Sequence, residues 1–186
     1  MRFTDYLSQD CCVLDLKAKN KEEAIRELAC VLQEQGKVVD YDDFVKHVME
    51  RERLGSTGIG NRVAIPHCPT KSVSGVVMAF GRSRAGLDFG SFDGHEVNFI
   101  FLMGTNPEDL NVYLKLLASL SKLLNDRNFR MEFAHAATPE QVVEVFELQA
   151  PPWYHRSEED TMRLARECRA TVEEAGLAEF FSLVVG

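Results

Sequence analysis

The chain has 186 residues, 45% of them hydrophobic and 27% charged, and its 21 Lys and Arg against 29 Asp and Glu give a formal charge of −8. That length and composition suit one globular domain with a small appendage and a sizeable core. The acidic balance argues against a general nucleic-acid or membrane-surface binder, and no run approaches the roughly 18 uninterrupted apolar residues of a spanning helix.

In chain order, residues 12–16 form a short apolar run that suits a strand. Asn20 reads as the N-cap of a helix through Gln35, with Glu23 at the capping-box position and Gly36 just past its end. Ala24, Ile25, Leu28, Val31 and Leu32 make its inward stripe. A second helix begins near Asp40 or Tyr41, turns Phe44, Val48 and Met49 inward, and ends at about Arg53. Gly55, Gly58 and Gly60 then punctuate a loop, and residues 63–65 make a brief strand ending at Pro66-His67.

Residues 73–80 and 97–103 are the clearest strands, and the second is almost wholly apolar, which predicts a central position. Asp93-Gly94 marks a turn between them. Residues 107–124 read as a long helix, and Thr138-Pro139-Glu140-Gln141 starts another that runs to about Leu148. Pro151-Pro152 opens a tail with helical composition over 158–175 and an apolar piece over 177–185. The organisation expected is a domain over 1–150 with a helical C-terminal extension over 151–186. The domain is α/β (α+β), a mixed, mostly parallel β-sheet flanked by helices. The apolar tail packs back on the domain or meets another chain, as in a homodimer.

The segment that carries chemistry runs from Arg51 to Cys68. Its glycines allow close backbone approach to a ligand and expose amide donors. Ser56 and Thr57 add hydroxyl donors, while Arg51 and Arg53 add cations able to grip phosphate. His67, at the end of a short strand, can face this loop as a nucleophile, because an imidazole of pKa about 6.5 is largely neutral near pH 7. Read singly, each feature has a plainer meaning: a loop glycine, a helix-end cation, a structural histidine. A nucleotide-binding P-loop is excluded, since no GxxxxGK[ST] occurs.

Taken whole, Arg51-Glu52, Ser56-Thr57, Gly58-Ile59-Gly60 and Ala64-Ile65-Pro66-His67 resemble the signature of phosphotransferase system (PTS) enzyme IIA domains. The type is that of mannitol and fructose, including the nitrogen-regulatory relatives, and the resemblance covers about residues 3–148. It implies a phosphoryl carrier that accepts a phosphoryl group at Nε2 of His67 from an HPr-type phosphocarrier protein. It implies Arg51 as neutraliser of the phosphoryl oxygens, with Thr57 and Ser56 as hydrogen-bond donors. Further partners would be an enzyme IIB or regulated target proteins, and no cofactor or metal is expected. The family's usual second histidine falls at Tyr113, in Tyr113-Leu114-Lys115-Leu116-Leu117. Tyrosine keeps a donor but supplies no positive charge, so it either still serves a phosphoryl group or only packs.

Cys68 stands where the family requires a small residue, and the five cysteines form neither a CxxC motif nor a disulfide-scaffold spacing. Residues 1–5 lack the regions of a signal peptide, so a cytoplasmic location with reduced thiols is expected. Three functional readings stay open. The first is a regulatory, nitrogen-type carrier. The second is a non-enzymatic binding module with a weakened phosphoryl site, and the third a separate-chain fructose- or mannitol-type transport component.

Overall fold

The structure is a computed structural model that describes residues 2–148. The expected helical extension over 151–186, and any dimer contact through it, lie outside the described residues.

Local signals set the first two helices. At α1 (Lys21–Glu34) the Asn20 side chain accepts from the Glu23 amide, while the Glu23 carboxylate takes the Lys19 amide and the Asn20 side-chain amide. The reciprocal bond of the capping box therefore reaches one residue further back than expected. Gly36 follows with φ +67°, a left-handed stop that favours glycine. Asp40 caps α2 (Tyr41–Leu54) through the Asp43 amide. Ala24, Ile25, Leu28 and Leu32 are buried as expected, and Val31 only half so.

One sheet of six strands organises the domain: β1 (Cys12–Val13), β2 (Gly58–Gly60), β3 (Val63–Ala64), β4 (His67–Pro69), β5 (Val76–Leu87) and β6 (Val97–Thr105). Its order is β1-β5-β6-β3-β2, and β4 continues the edge of β6 beyond β3. β1–β5, β3–β6 and β4–β6 are parallel, while β2–β3 and the long β5–β6 ladder are antiparallel. The apolar β6 is central, as its composition predicts. β1 is shorter than expected, and β5 starts later and runs longer. The small strands β2 and β4 lie within the segment read as loop and histidine terminus.

The two faces differ in kind. A Cβ on Gly81 would meet Leu28 of α1, and one on Gly104 would meet Phe44 of α2 at 2.7 Å, so α1 and α2 press closely on one face. On the other, Phe80, Phe99 and Phe101 meet Phe133 of α4 (Arg127–His135), and Phe101 also meets Phe146 of α5 (Pro139–Leu148). α3 (Leu110–Asn125) follows a 3-10 turn at Pro107–Asp109, so the long helix expected from 107 starts one turn later.

Arg82 of β5 ties this second layer to the sheet edge. Its Nη1 donates to the carbonyls of Phe133, Ala134 and Ala136, and its Nε to that of Leu14. Hydrogen bonds to a charged group contribute about 1.5–3 kcal/mol each when buried. Arg82→Met, similar in length but without donors, removes all four bonds and is expected to lower the unfolding free energy by at least about 3 kcal/mol in urea titrations. An unchanged midpoint would show that water replaces these bonds without loss.

Candidate functional site

His67 sits where the strand that lines β6 resumes. Between β3 and β4 the chain leaves the ladder at Ile65 and Pro66. The Ile65 amide turns to the Thr57 carbonyl (3.0 Å), while the Pro66 carbonyl accepts from the Met103 amide (2.9 Å). The Ile65 carbonyl is left to accept from the His67 ring, 2.6 Å from Nδ1. A carbonyl can only accept, so Nδ1 carries the proton and, in the neutral ring, Nε2 carries the lone pair.

Burial enforces that neutrality. His67 is 0% exposed, and loss of solvation lowers its pKa from 6.5 to about 3. The Ile65 bond opposes this shift and the Arg51 charge adds to it. The imidazole is therefore an uncharged base at neutral pH, with one nitrogen committed and the other nucleophilic.

Register decides what surrounds the ring. His67 pairs with Met103 and so points to the face of Phe101; Cys68 pairs with Gly104 and points toward α2. Tyr113, in the first turn of α3, lies on the His67 side with ring centroids 6.1 Å apart. Tyr113 is also fully buried, and among the described residues its hydroxyl has no hydrogen-bond partner. Desolvation raises its pKa well above the phenol value, and the Arg51 charge opposes this. The group is a neutral donor under any physiological condition. Arg51, 9% exposed at the end of α2, donates from Nη1 to the Gly55 carbonyl at 3.1 Å. Burial pulls its pKa down, while the Glu52 carboxylate holds it up. His67, Arg51 and Tyr113 thus share one electrostatic neighbourhood.

Ser56 and Thr57 both bond within the protein through their hydroxyls. The Thr57 hydroxyl donates to Glu52 Oε2 at 2.6 Å, and the Thr57 amide to the same carboxylate. The Ser56 hydroxyl donates to the Phe89 carbonyl at 2.6 Å and accepts from the Gly58 amide. Both protons are committed to protein acceptors, so these residues hold the loop. Arg53 is exposed, as befits a cation at a helix end.

Glu52 was not singled out by its residue type. It is 5% exposed and joined by Lys21 at 3.2 Å, whose ammonium also reaches the Phe89 carbonyl. The sequence signal is its place beside Arg51, five residues before Thr57. Cys68 is buried, and desolvation pushes its thiol pKa up. It packs in the core.

An α/β domain with a neutral, oriented histidine in the field of a buried arginine is a scaffold for handling an anion at nitrogen. Residues 5–148 match the family model described as "Phosphoenolpyruvate-dependent sugar phosphotransferase system, EIIA 2". The chain belongs to that family. It is similar to the fructose-specific EIIABC component of Bacillus subtilis, 33% identical over 78% of this chain but only 23% of that protein. It is likewise similar to a nitrogen regulatory protein of Bradyrhizobium diazoefficiens, 30% identical over 82% of this chain and 97% of the relative. Among solved structures, nitrogen regulatory protein IIA-Ntr of Neisseria meningitidis superposes with a TM-score of 0.73 at 27% identity, covering 77% of this chain and 98% of that one. No helix among the described residues is long and apolar enough to cross a membrane.

The depressed pKa of His67 has a consequence for stability. Below pH 6.5 the unfolded chain binds a proton that the native ring refuses. The stabilisation is therefore complete above 6.5 and lost progressively as the pH falls toward about 3. Between about pH 6.5 and 5, wild type is expected to lose stability relative to His67→Gln by up to about 1.4 kcal/mol per pH unit. Denaturant titrations at stepped pH measure it; parallel curves for the two proteins would refute the assignment.

Proposed function

We propose that this chain is a phosphoryl carrier that accepts a phosphoryl group on Nε2 of His67 from an HPr-type phosphocarrier protein. The observation that carries the reading is the Ile65–His67 bond, which fixes the proton on Nδ1 and leaves Nε2 nucleophilic on the side of Arg51 and Tyr113. In the step, the Nε2 lone pair forms a P–N bond as the donor's P–N bond breaks, and the donor's imidazole leaves with its electron pair. Nδ1 keeps its proton, and the Ile65 carbonyl stabilises the positive charge that develops on the ring. Positioning and charge stabilisation dominate such a transfer.

Arg51 neutralises the phosphoryl oxygens, and Tyr113 offers its buried hydroxyl to one of them. Ser56 and Thr57 keep the loop closed behind Arg51 through Phe89 and Glu52. The role is regulatory and cytoplasmic, supported by similarity to nitrogen regulatory proteins along nearly their whole length. The phosphorylated and free forms then select target proteins, or pass the group to an enzyme IIB. A domain over 1–150 with a separate extension over 151–186 is part of this reading. Similarity to a fructose-specific EIIABC component keeps a transport role as the alternative.

A second reading is favoured by one observation: both His67 and Tyr113 are fully buried. An attack in line with Nε2 needs the cover over the ring to open, and a chain in which it stays shut would act as a binding module alone.

Incubation with phosphorylated HPr-type carrier separates the two. Acid-labile phosphate is expected on wild type and absent from His67→Ala; transfer that survives the replacement would sink the carrier reading, and no transfer from any such carrier would favour the module. Tyr113→Phe removes a donor without changing shape. It is expected to slow acceptance about tenfold, the equivalent of one lost hydrogen bond, and to leave folding stability equal or higher because the hydroxyl has no partner among the described residues. An unchanged rate would reduce Tyr113 to packing.

A further inference from the structure

A groove of about 370 Å³ lies between the β2–β3 turn, the loop before β6, and α4. Val63 pairs with Phe99 at this end of the parallel strands, whereas His67 pairs with Met103 at the other. Four residues of extended chain separate the two ends, roughly 13 Å. The groove is therefore distinct from the histidine site.

Its chemistry runs against the charge of the chain. Arg62, Arg127 and Arg130 line it, with Asp93 the one carboxylate among the described lining residues. Asp93 is occupied by the loop itself, accepting from the amides of Asn61 (2.9 Å) and His95 (3.1 Å) and standing 3.5 Å from the His95 ring. Two of the arginines are anchored from one side. Arg62 donates through Nη1 to Asn98 Oδ1 at 3.0 Å, and Arg130 through Nη1 to the carbonyls of Leu124 and Asn125. Arg127 is exposed in the first turn of α4. Three arginines thus line one groove on the surface of a chain whose formal charge is −8.

The turn that presents Arg62 holds two successive non-glycine residues in the left-handed region, Asn61 at φ +53° and Arg62 at φ +65°. That conformation costs roughly 1–2 kcal/mol per residue, and the Asn61–Asp93 bond offsets part of it. Between the cations the surface is apolar, made by Phe99, Ala134 and Met131, the last 41% exposed.

We propose that this groove is a second anion site, which binds a small phosphate monoester bearing a flat apolar body. The head lies among Arg62, Arg127 and Arg130, and the body over Met131, Ala134 and Phe99. Three fork-shaped cations match a doubly charged, three-oxygen head better than a singly charged carboxylate. The volume falls at the lower end of small-molecule sites, which suits a compact ligand.

Calorimetric titration of the full chain tests this with phenyl phosphate, AMP and inorganic phosphate as probes. At least one of the two esters is expected to bind at a single site about tenfold more tightly than inorganic phosphate. Arg127→Gln and Arg62→Gln, both surface replacements, are each expected to weaken it about tenfold, the loss of one charge-assisted bond. His67→Gln is expected to leave it unchanged. The proposal is overturned if neither ester binds more tightly than inorganic phosphate, or if Arg127→Gln binds like wild type. It is also overturned if affinity falls in His67→Gln but not in Arg127→Gln, which would put the phosphate at the histidine end.

Discussion

The 2.6 Å bond from His67 Nδ1 to the Ile65 carbonyl is the contact on which the site depends, because it assigns the single proton of a ring that burial keeps neutral. Its acceptor is available only because the chain leaves the ladder at Ile65-Pro66. Proline has no N–H to continue pairing, and the Ile65 amide goes to Thr57 instead. Thr57 is in turn fixed by two bonds to Glu52, and Glu52 by Lys21 of α1. One buried carboxylate therefore joins α1, α2, the glycine loop and the strand that carries the histidine. A carboxylate is tolerated there because its oxygens meet an amide, a hydroxyl and an ammonium.

Tyrosine at position 113 alters the electrostatics around that ring. A histidine there could change charge near neutral pH; a phenol whose pKa burial has raised stays neutral. The fixed positive charge beside His67 then comes from Arg51, and burial strengthens its field by excluding water. An unpaired buried hydroxyl costs about 1–3 kcal/mol when no partner is present. Among the described residues the Tyr113 hydroxyl has no such partner.

Much of the frame was legible because its signals are local. Asn20 and Asp40 announce helix starts by their own side chains, and the apolar run of β6 places it at the centre. The histidine segment was legible as a pattern of types at fixed spacing. What escaped depends on pairing or distance in sequence. β2 and β4 exist by contact with β3 and β6, not by composition. α4 is nine residues with a two-residue apolar stripe, Phe129 and Phe133, too short for periodicity to declare. Its cap, Asp126 to the Phe129 amide, was the available clue. The partners of Ser56 and Thr57 were hidden for the same reason: Phe89 lies 33 residues away, and Glu52 lies across a helix end.

Which face of the sheet His67 and Cys68 each take is a matter of parity. Strand side chains alternate, so the pairing of His67 with Met103 and Cys68 with Gly104 sends the imidazole to the α3 face and the thiol to the α2 face. A slip of one residue would exchange them and place a thiol beside Arg51 and Tyr113. Two features oppose that slip. The Pro66 carbonyl bonds the Met103 amide just before the pair forms. Gly104 meanwhile lies so close to Phe44 that even a Cβ there would meet its ring at 2.7 Å, and Cys68 beside it is buried. The close packing of α2 on Gly104 and the pairing of β4 with β6 therefore act together on the face that the imidazole takes.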